Sequence, residues 1–313
     1  MTDRAPDGSN REPVPAADAT HQFASPAPAT GLQGVRAVLL VGAVKGGVGK
    51  STLAVNLAAA AALKGLRVGL IDANPGCEDV ARLLGVKPPR WWYDQNGRVE
   101  PLAGPLGLRL AACVPEGGGP LREAGLASVG EQWPPGEDAG NEGAWEPVAA
   151  LRRLFESAAL GPLDLVVVDL ARGFRQLTVL AGCAAQVGIL LVSQGTALCV
   201  SALRNAVTGL KRGDGRLLGI VETMAGFSCE ACHTVKPLFP DGHLAGLGRE
   251  MALSVLARLP FDPRFAESSD RGLLFIRQYP DTPLAKQLVA LSEGLCRALG
   301  LEGAQGPGLS ASR

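Results

Sequence analysis

Residues 38 to 58 constrain this chain more tightly than any other stretch. The apolar run Val38-Leu39-Leu40-Val41 leads into Val44-Lys45-Gly46-Gly47-Val48-Gly49-Lys50-Ser51-Thr52. Then Leu53-Ala54-Val55-Asn56-Leu57-Ala58 is ready to form a helix. A buried strand that ends in a glycine-rich turn and opens a helix cradles phosphate: the glycines let backbone N–H groups converge on the anion, and the helix N-terminus adds its positive dipole end. In such loops the last lysine reaches the β- and γ-phosphates and the next hydroxyl holds Mg2+. Those roles fall to Lys50 and Ser51. The strict spacing GxxxxGK(S/T) fails, because Val44 stands at its first position, and a second lysine, Lys45, opens the loop.

A loop of this kind belongs to a parallel sheet, and the rest of the chain reads accordingly. Strands are expected at about 36–41, 66–71, 108–114, 163–169, 187–192, 217–221 and 254–259. Helices are expected at 50–63, 80–84, 145–159, 197–210 and 282–299. Several strands are apolar throughout, as Leu163-Asp164-Leu165-Val166-Val167-Val168 nearly is, which means burial on both faces. Strands alternating with helices then make an α/β fold, mostly parallel, with ligands at the carboxyl ends of the strands. Residues 1–34 read as a disordered N-terminal tail, 35–300 as one phosphate-loop domain, and 301–313 as a disordered C-terminal tail. A Gly-, Pro- and Glu-rich insertion covers about 116–144. Residues 86–107 read as a loop or small hairpin around Trp91-Trp92-Tyr93, and 226–243 as a polar loop.

The chain has 30 basic and 30 acidic side chains and no basic tract, so no nucleic-acid partner is expected. No run of 18 apolar residues and no apolar leader segment is visible, so neither a membrane span nor export is expected. Seven cysteines without a regular framework point to reduced thiols and a cytoplasmic location.

Two acids and a pair of thiols draw attention beyond the loop. Asp169 ends a buried strand, where a carboxylate can orient Mg2+ and its waters. Its bland alternative is to cap the next helix. Asp72 ends the second strand and reaches the same sheet edge, to hold a Mg2+ water or the attacking water, or else to shape a turn. Asn74, two residues on, lacks the charge to activate water. Cys229-Glu230-Ala231-Cys232 supplies two metal-ligating thiolates, and an iron–sulfur or zinc site needs about four ligands. His233 and His243 could complete a zinc site within one chain, or a second chain could contribute its own pair. Cys77, Cys113, Cys183, Cys199 and Cys296 lie on apolar elements and read as core fillers.

The segments VKGGVGKSTLAVNLAAA, GLRVGLIDA, PLDLVVVDL, GIVETMAGFSCEAC and LARLPFDPRFAESSDRG together resemble the Mrp/ApbC iron–sulfur cluster carriers, within the MinD/ParA class of deviant P-loop ATPases. The resemblance covers about residues 36–300. It implies an ATP-sandwich homodimer, with ATP and Mg2+ held by Lys45, Gly46, Gly47, Val48, Gly49, Lys50, Ser51 and Thr52. Lys45 would cross to the partner's nucleotide, and Asp72 and Asp169 would serve Mg2+ and hydrolysis. Thr223, Pro260 and Asp262 would lie near the adenine. Cys229 and Cys232 of both subunits would hold a bridging 4Fe–4S cluster for delivery to apo iron–sulfur proteins. Three departures accompany the resemblance. Asn74 stands where the family has Asp, Thr223 where it has Asn, and Asp169-Leu170-Ala171-Arg172-Gly173-Phe174-Arg175-Gln176 replaces DLPPGTGD. Slow hydrolysis is therefore expected. A MinD/ParA-like regulatory or positioning ATPase, and a nucleotide-binding protein with structural zinc, are the alternatives.

Overall fold

The computed structural model describes residues 32, 34–74, 79–87, 99–112, 154–156, 160–171, 186–211, 216–228, 235–239 and 242–302. In chain order the strands are β1 (Val35–Gly42), β2 (Val68–Ala73), β3 (Leu102–Ala103), β4 (Arg109–Ala112), β5 (Leu163–Leu170), β6 (Val187–Ser193), β7 (Arg216–Glu222), β8 (Gly226–Ser228), β9 (Val235–Pro237) and β10 (Val255–Arg258). The helices are α1 (Lys50–Leu63), α2 (Asp79–Leu83), α3 (Ala197–Leu210), α4 (His243–Glu250), α5 (Pro263–Asp270), α6 (Phe275–Gln278) and α7 (Pro283–Ala298).

Eight strands make one sheet in the order β10-β7-β6-β1-β5-β2-β4-β3. Every pairing in it is parallel except that of the short edge strand β3 with β4. The central strands are apolar on both faces because both faces are covered. On β1, Leu39 and Val41 join one core with α1 and α7, while Val38 and Leu40 join another with α3 and α4.

Helix α1 is buried almost all round, from Leu53 to Ala62, as expected of a helix without a polar face. Its alanines let it lie close to the sheet below and to α7 above. There Ser292 donates to the Leu57 carbonyl at 3.0 Å.

The expected helices at 50–63, 197–210 and 282–299 and the central strands are present. The second strand begins two residues later than expected, and the fourth spans only Arg109–Ala112. Two readings are corrected. The stretch 226–243 is not simply a loop: Gly226–Ser228 and Val235–Pro237 pair as an antiparallel ribbon, and α4 starts at His243. Helix α5 was missed although Asp262-Pro263 announces it. Asp262 accepts from the Arg264 N–H as N-cap, with Pro263 at the first helical position,. The packed body also reaches slightly beyond the expected bounds, since Leu32 and Leu301 are buried in it. Most of the expected helix 145–159, the aromatic stretch 91–93, the insertion 116–144 and most of both tails lie outside the described residues, as do Cys77, Cys113 and Cys183. Of the expected core cysteines, Cys199 is buried and Cys296 half-buried.

Candidate functional site

A parallel sheet brings the carboxyl ends of its strands to one edge, and three of those ends meet here. The glycine loop follows β1, Asp72 lies near the end of β2, and Asp169 near the end of β5. Asp169 is in register with Val41 on one side and with Asp72 on the other. The two carboxylates therefore project side by side toward the loop.

The loop turns through Gly47 and Gly49, both in the left-handed region at φ +74° and +79°. Nothing lies within 4 Å of a Cβ at either position, so the glycines are needed for conformation and leave open space in front of the backbone. Gly49 is the N-cap of α1 and offers no side-chain cap, and the first turn of the helix contains no acid. The N–H groups that would ordinarily be capped there are therefore available to an anion. Lys45, Gly46 and Gly47 are exposed, whereas Val48 and Lys50 are buried.

Lys50 forms a buried ion pair with Asp169 Oδ1 and lies 3.4 Å from Ser51 Oγ. Asn74 Nδ2 donates to Asp169 Oδ2 at 2.9 Å and to Asp72 Oδ1 at 3.2 Å. The main-chain N–H groups of Asn74 and Val80 complete the shell of Asp72, at 3.0 and 3.1 Å. Asp72 thus also fills the turn-shaping role foreseen as its alternative. Burial, and then the neighbouring Asp169 charge, push the Asp72 carboxyl up to about 7, against the pull of these donors. Burial likewise raises Asp169, opposed by Lys50 and by a hydrogen bond from Ser51.

Beside the loop lies a cavity of about 310 Å3 whose wall includes Val48, Gly49, Thr52, Thr223, Pro260 and Asp262. The residues expected near a base are therefore gathered next to the phosphate loop. Thr223 donates its hydroxyl to the Val48 carbonyl at 2.8 Å and so ties the loop to the end of β7. The Asp262 carboxylate is engaged by Arg264 at 2.7 and 2.9 Å. Leu83 and Phe265 also line this cavity. No local pattern announced them, because they arrive from α2 and α5 through packing alone.

A second cavity, about 700 Å3, shares Pro260, Phe261 and Asp262 as a common wall and extends to Gly226 and Pro237 at the foot of the ribbon. Two backbone hydrogen bonds fasten the foot to that wall: Phe261 N–H to the Gly226 carbonyl at 2.6 Å, and Ala225 N–H to the Leu259 carbonyl at 2.9 Å. Cys229, Cys232 and His233 fall in the connection between β8 and β9, outside the described residues. His243 is exposed at the start of α4.

The chain matches, over residues 34–112 and 145–296, the ParA-type family described as NUBPL iron-transfer P-loop NTPase. It belongs to that family. An iron–sulfur cluster carrier protein of Aquifex aeolicus is similar to this NUBPL-type chain at 30% identity over 270 residues, 85% of this chain and 69% of the relative. The cytosolic Fe–S cluster assembly factor NUBP2 of Gallus gallus is 29% identical, over 84% of this chain and 92% of its own length. Among solved structures, a nucleotide-binding protein of Archaeoglobus fulgidus in complex with ADP has a TM-score of 0.56 at 25% identity, covering 82% of this chain and 92% of that one. The cell division ATPase MinD of Pyrococcus furiosus, at 18% identity and TM-score 0.56 over 85% and 99% of the two chains, shares the fold.

Proposed function

We propose that this NUBPL-type chain is a nucleotide-dependent carrier that holds a 4Fe–4S cluster between two copies of itself and passes it to apo iron–sulfur proteins in the cytoplasm. One observation carries the reading. The ribbon whose ends flank Cys229 and Cys232 is hydrogen-bonded to the Leu259–Phe261 segment, and that segment walls the cavity beside the phosphate loop. The foot of the ribbon and the cavity beside the phosphate loop thereby share one short segment, through which a change at the nucleotide would act on the ribbon. The names of the relatives point the same way.

ATP fits the loop through Gly46–Thr52 and its base fits the cavity lined by Thr223, Pro260 and Asp262. Mg2+ fits Ser51, Asp72 and Asp169. Among the described residues no group of three or more His, Cys, Asp or Glu side chains is placed to hold a metal. A Mg2+ there would complete its oxygen shell with phosphates and water, as this ion commonly does. Bound Mg2+ supplies neutralisation of phosphate charge. In this reading Lys50 supplies a cation at the phosphates, Asp72 and Asp169 orient the ion, and Lys45 reaches across to a second copy, which its exposure at the loop's opening supports. Hydrolysis is slow in this reading, because Asn74 cannot act as a base.

Cys229 and Cys232 are two of the four thiolates that a cluster needs, and an isologous dimer duplicates the pair across its axis. Anaerobic reconstitution with iron and sulfide tests the reading. We expect about one 4Fe–4S cluster per two chains, with broad absorbance near ~400 nm, lost in Cys229→Ala and in Cys232→Ala. Iron retained in the double variant refutes the carrier function. Zinc at about one per chain, dependent on His233 and His243, replaces it with a structural metal site.

A further inference from the structure

Each of the four carboxylate oxygens of Asp72 and Asp169 already has a protein donor. Asp169 Oδ1 is paired with Lys50 and Asp169 Oδ2 with Asn74 Nδ2. Asp72 Oδ1 accepts from the side chain and the main chain of Asn74, and Asp72 Oδ2 from the Val80 N–H. The Asn74 amide nitrogen carries two hydrogens and directs one to each carboxylate. A single neutral side chain therefore bridges two buried carboxyl groups at the place where a divalent cation would otherwise be their common partner.

We propose that Asn74 is a positioning residue that keeps the cation seat closed in the nucleotide-free protein, so that a divalent cation binds together with nucleotide and hardly at all alone. The physical argument is one of exchange. A cation arriving alone must strip the amide or the ammonium from desolvated carboxylates, and the displaced Lys50, itself buried, would have no new partner. Unpaired charge and unmet donors inside a protein are costly. Phosphates change the exchange. They offer Lys50 an alternative anion, which frees Asp169 Oδ1, and they add oxygen ligands that the protein lacks. A carboxylate at position 74 would have the opposite effect, removing the shared N–H donor and adding a third negative charge, so that a cation becomes the remaining way to satisfy the cluster.

The inference rests on the nucleotide half of the function proposed above and is independent of the cysteine pair. The test uses the full chain and Mn2+ as the metal probe, with free Mn2+ read by electron paramagnetic resonance, with and without ADP. With the Mn2+–ADP complex formed in a protein-free control subtracted, wild type should bind Mn2+ at least about tenfold more tightly with ADP than without it. Without nucleotide, Asn74→Ala should gain about threefold to tenfold in Mn2+ affinity and Asn74→Asp more than about tenfold, the range over which outer-shell partners tune metal sites. The melting temperature of Asn74→Asp should rise on addition of Mn2+ alone, and that of wild type should not. Equal Mn2+ affinity of wild type with and without ADP overturns the proposal. So does an Asn74→Ala variant that binds Mn2+ alone no better than wild type. If wild type fails to bind ADP, the nucleotide reading falls, while the metal-alone comparison of wild type with Asn74→Ala still decides the role of Asn74.

Discussion

Asp72 shows how a single buried side chain at this edge makes stability depend on pH. Its carboxyl is raised to about 7, first by burial and second by Asp169, whereas an unfolded aspartate titrates near ~4. The folded state thus binds this proton more tightly than the unfolded state does. The associated stability is complete below about pH 4 and is lost as pH rises through about 7. For metal-free protein we expect the melting temperature to fall between pH 5 and pH 8. In Asp72→Asn that fall should shrink, with the stability difference between the two proteins changing by roughly 1–3 kcal/mol across the interval. Identical pH profiles for the two proteins would contradict this account. Asp164, at the opposite end of β5, carries the reverse sign. Hydrogen bonds from Arg67 hold it down to about 2, so its contribution is present above about pH 4 and is lost only in stronger acid.

At the scale of elements, the wall of the cavity beside the loop depends on one close approach. The turn after α2 meets the turn after α5 backbone to backbone. A Cβ on Gly272 would lie 2.4 Å from Gly85 Cα and 2.6 Å from Gly85 N. Both glycines also sit at φ +65°, where a side chain is strained in any surroundings. This contact sets Leu83 and Phe265, one from each helix, into the same wall. Gly272→Ala should therefore destabilise the fold by roughly 2–4 kcal/mol in urea titration and weaken ADP binding as well. Gly246 in α4 is the control, because nothing lies within 4 Å of its Cβ position. Gly246→Ala should be neutral or stabilising by up to about 1 kcal/mol. Equal effects of the two substitutions would mean that the approach of the turns contributes little.

At the scale of the whole molecule, the function proposed above gives the two lysines of the loop different tasks, Lys50 in binding and Lys45 in assembly. Lys50 is buried against Asp169 and Lys45 is exposed. Lys50→Ala should lower ADP affinity by at least about 100-fold, since it removes the charge-assisted partner of the phosphates. Lys45→Ala should keep affinity within about threefold yet lose the ATP-driven shift from monomer to dimer in sedimentation. Dimerisation of Lys45→Ala equal to wild type would remove Lys45 from the interface. Much of this architecture is already legible in the sequence, because the signals are local. Period and length separate strand from helix, the glycine-and-lysine loop needs only its own residues, and Asp72 and Asp169 stand where buried runs end. The resemblance of the cysteine segment to cluster carriers was equally visible. Register and close packing are different in kind. Asn74 and Asp169 are 95 residues apart, and only the alignment of β2 with β5 makes them neighbours. A slip of one residue would turn Asp72 and Asp169 to opposite faces of the sheet. Sequence alone left Asn74 as a residue lacking a charge. Tertiary structure made it a bridge, because a hydrogen bond is set by distance in space and this one joins strands whose separation along the chain has no bearing on it.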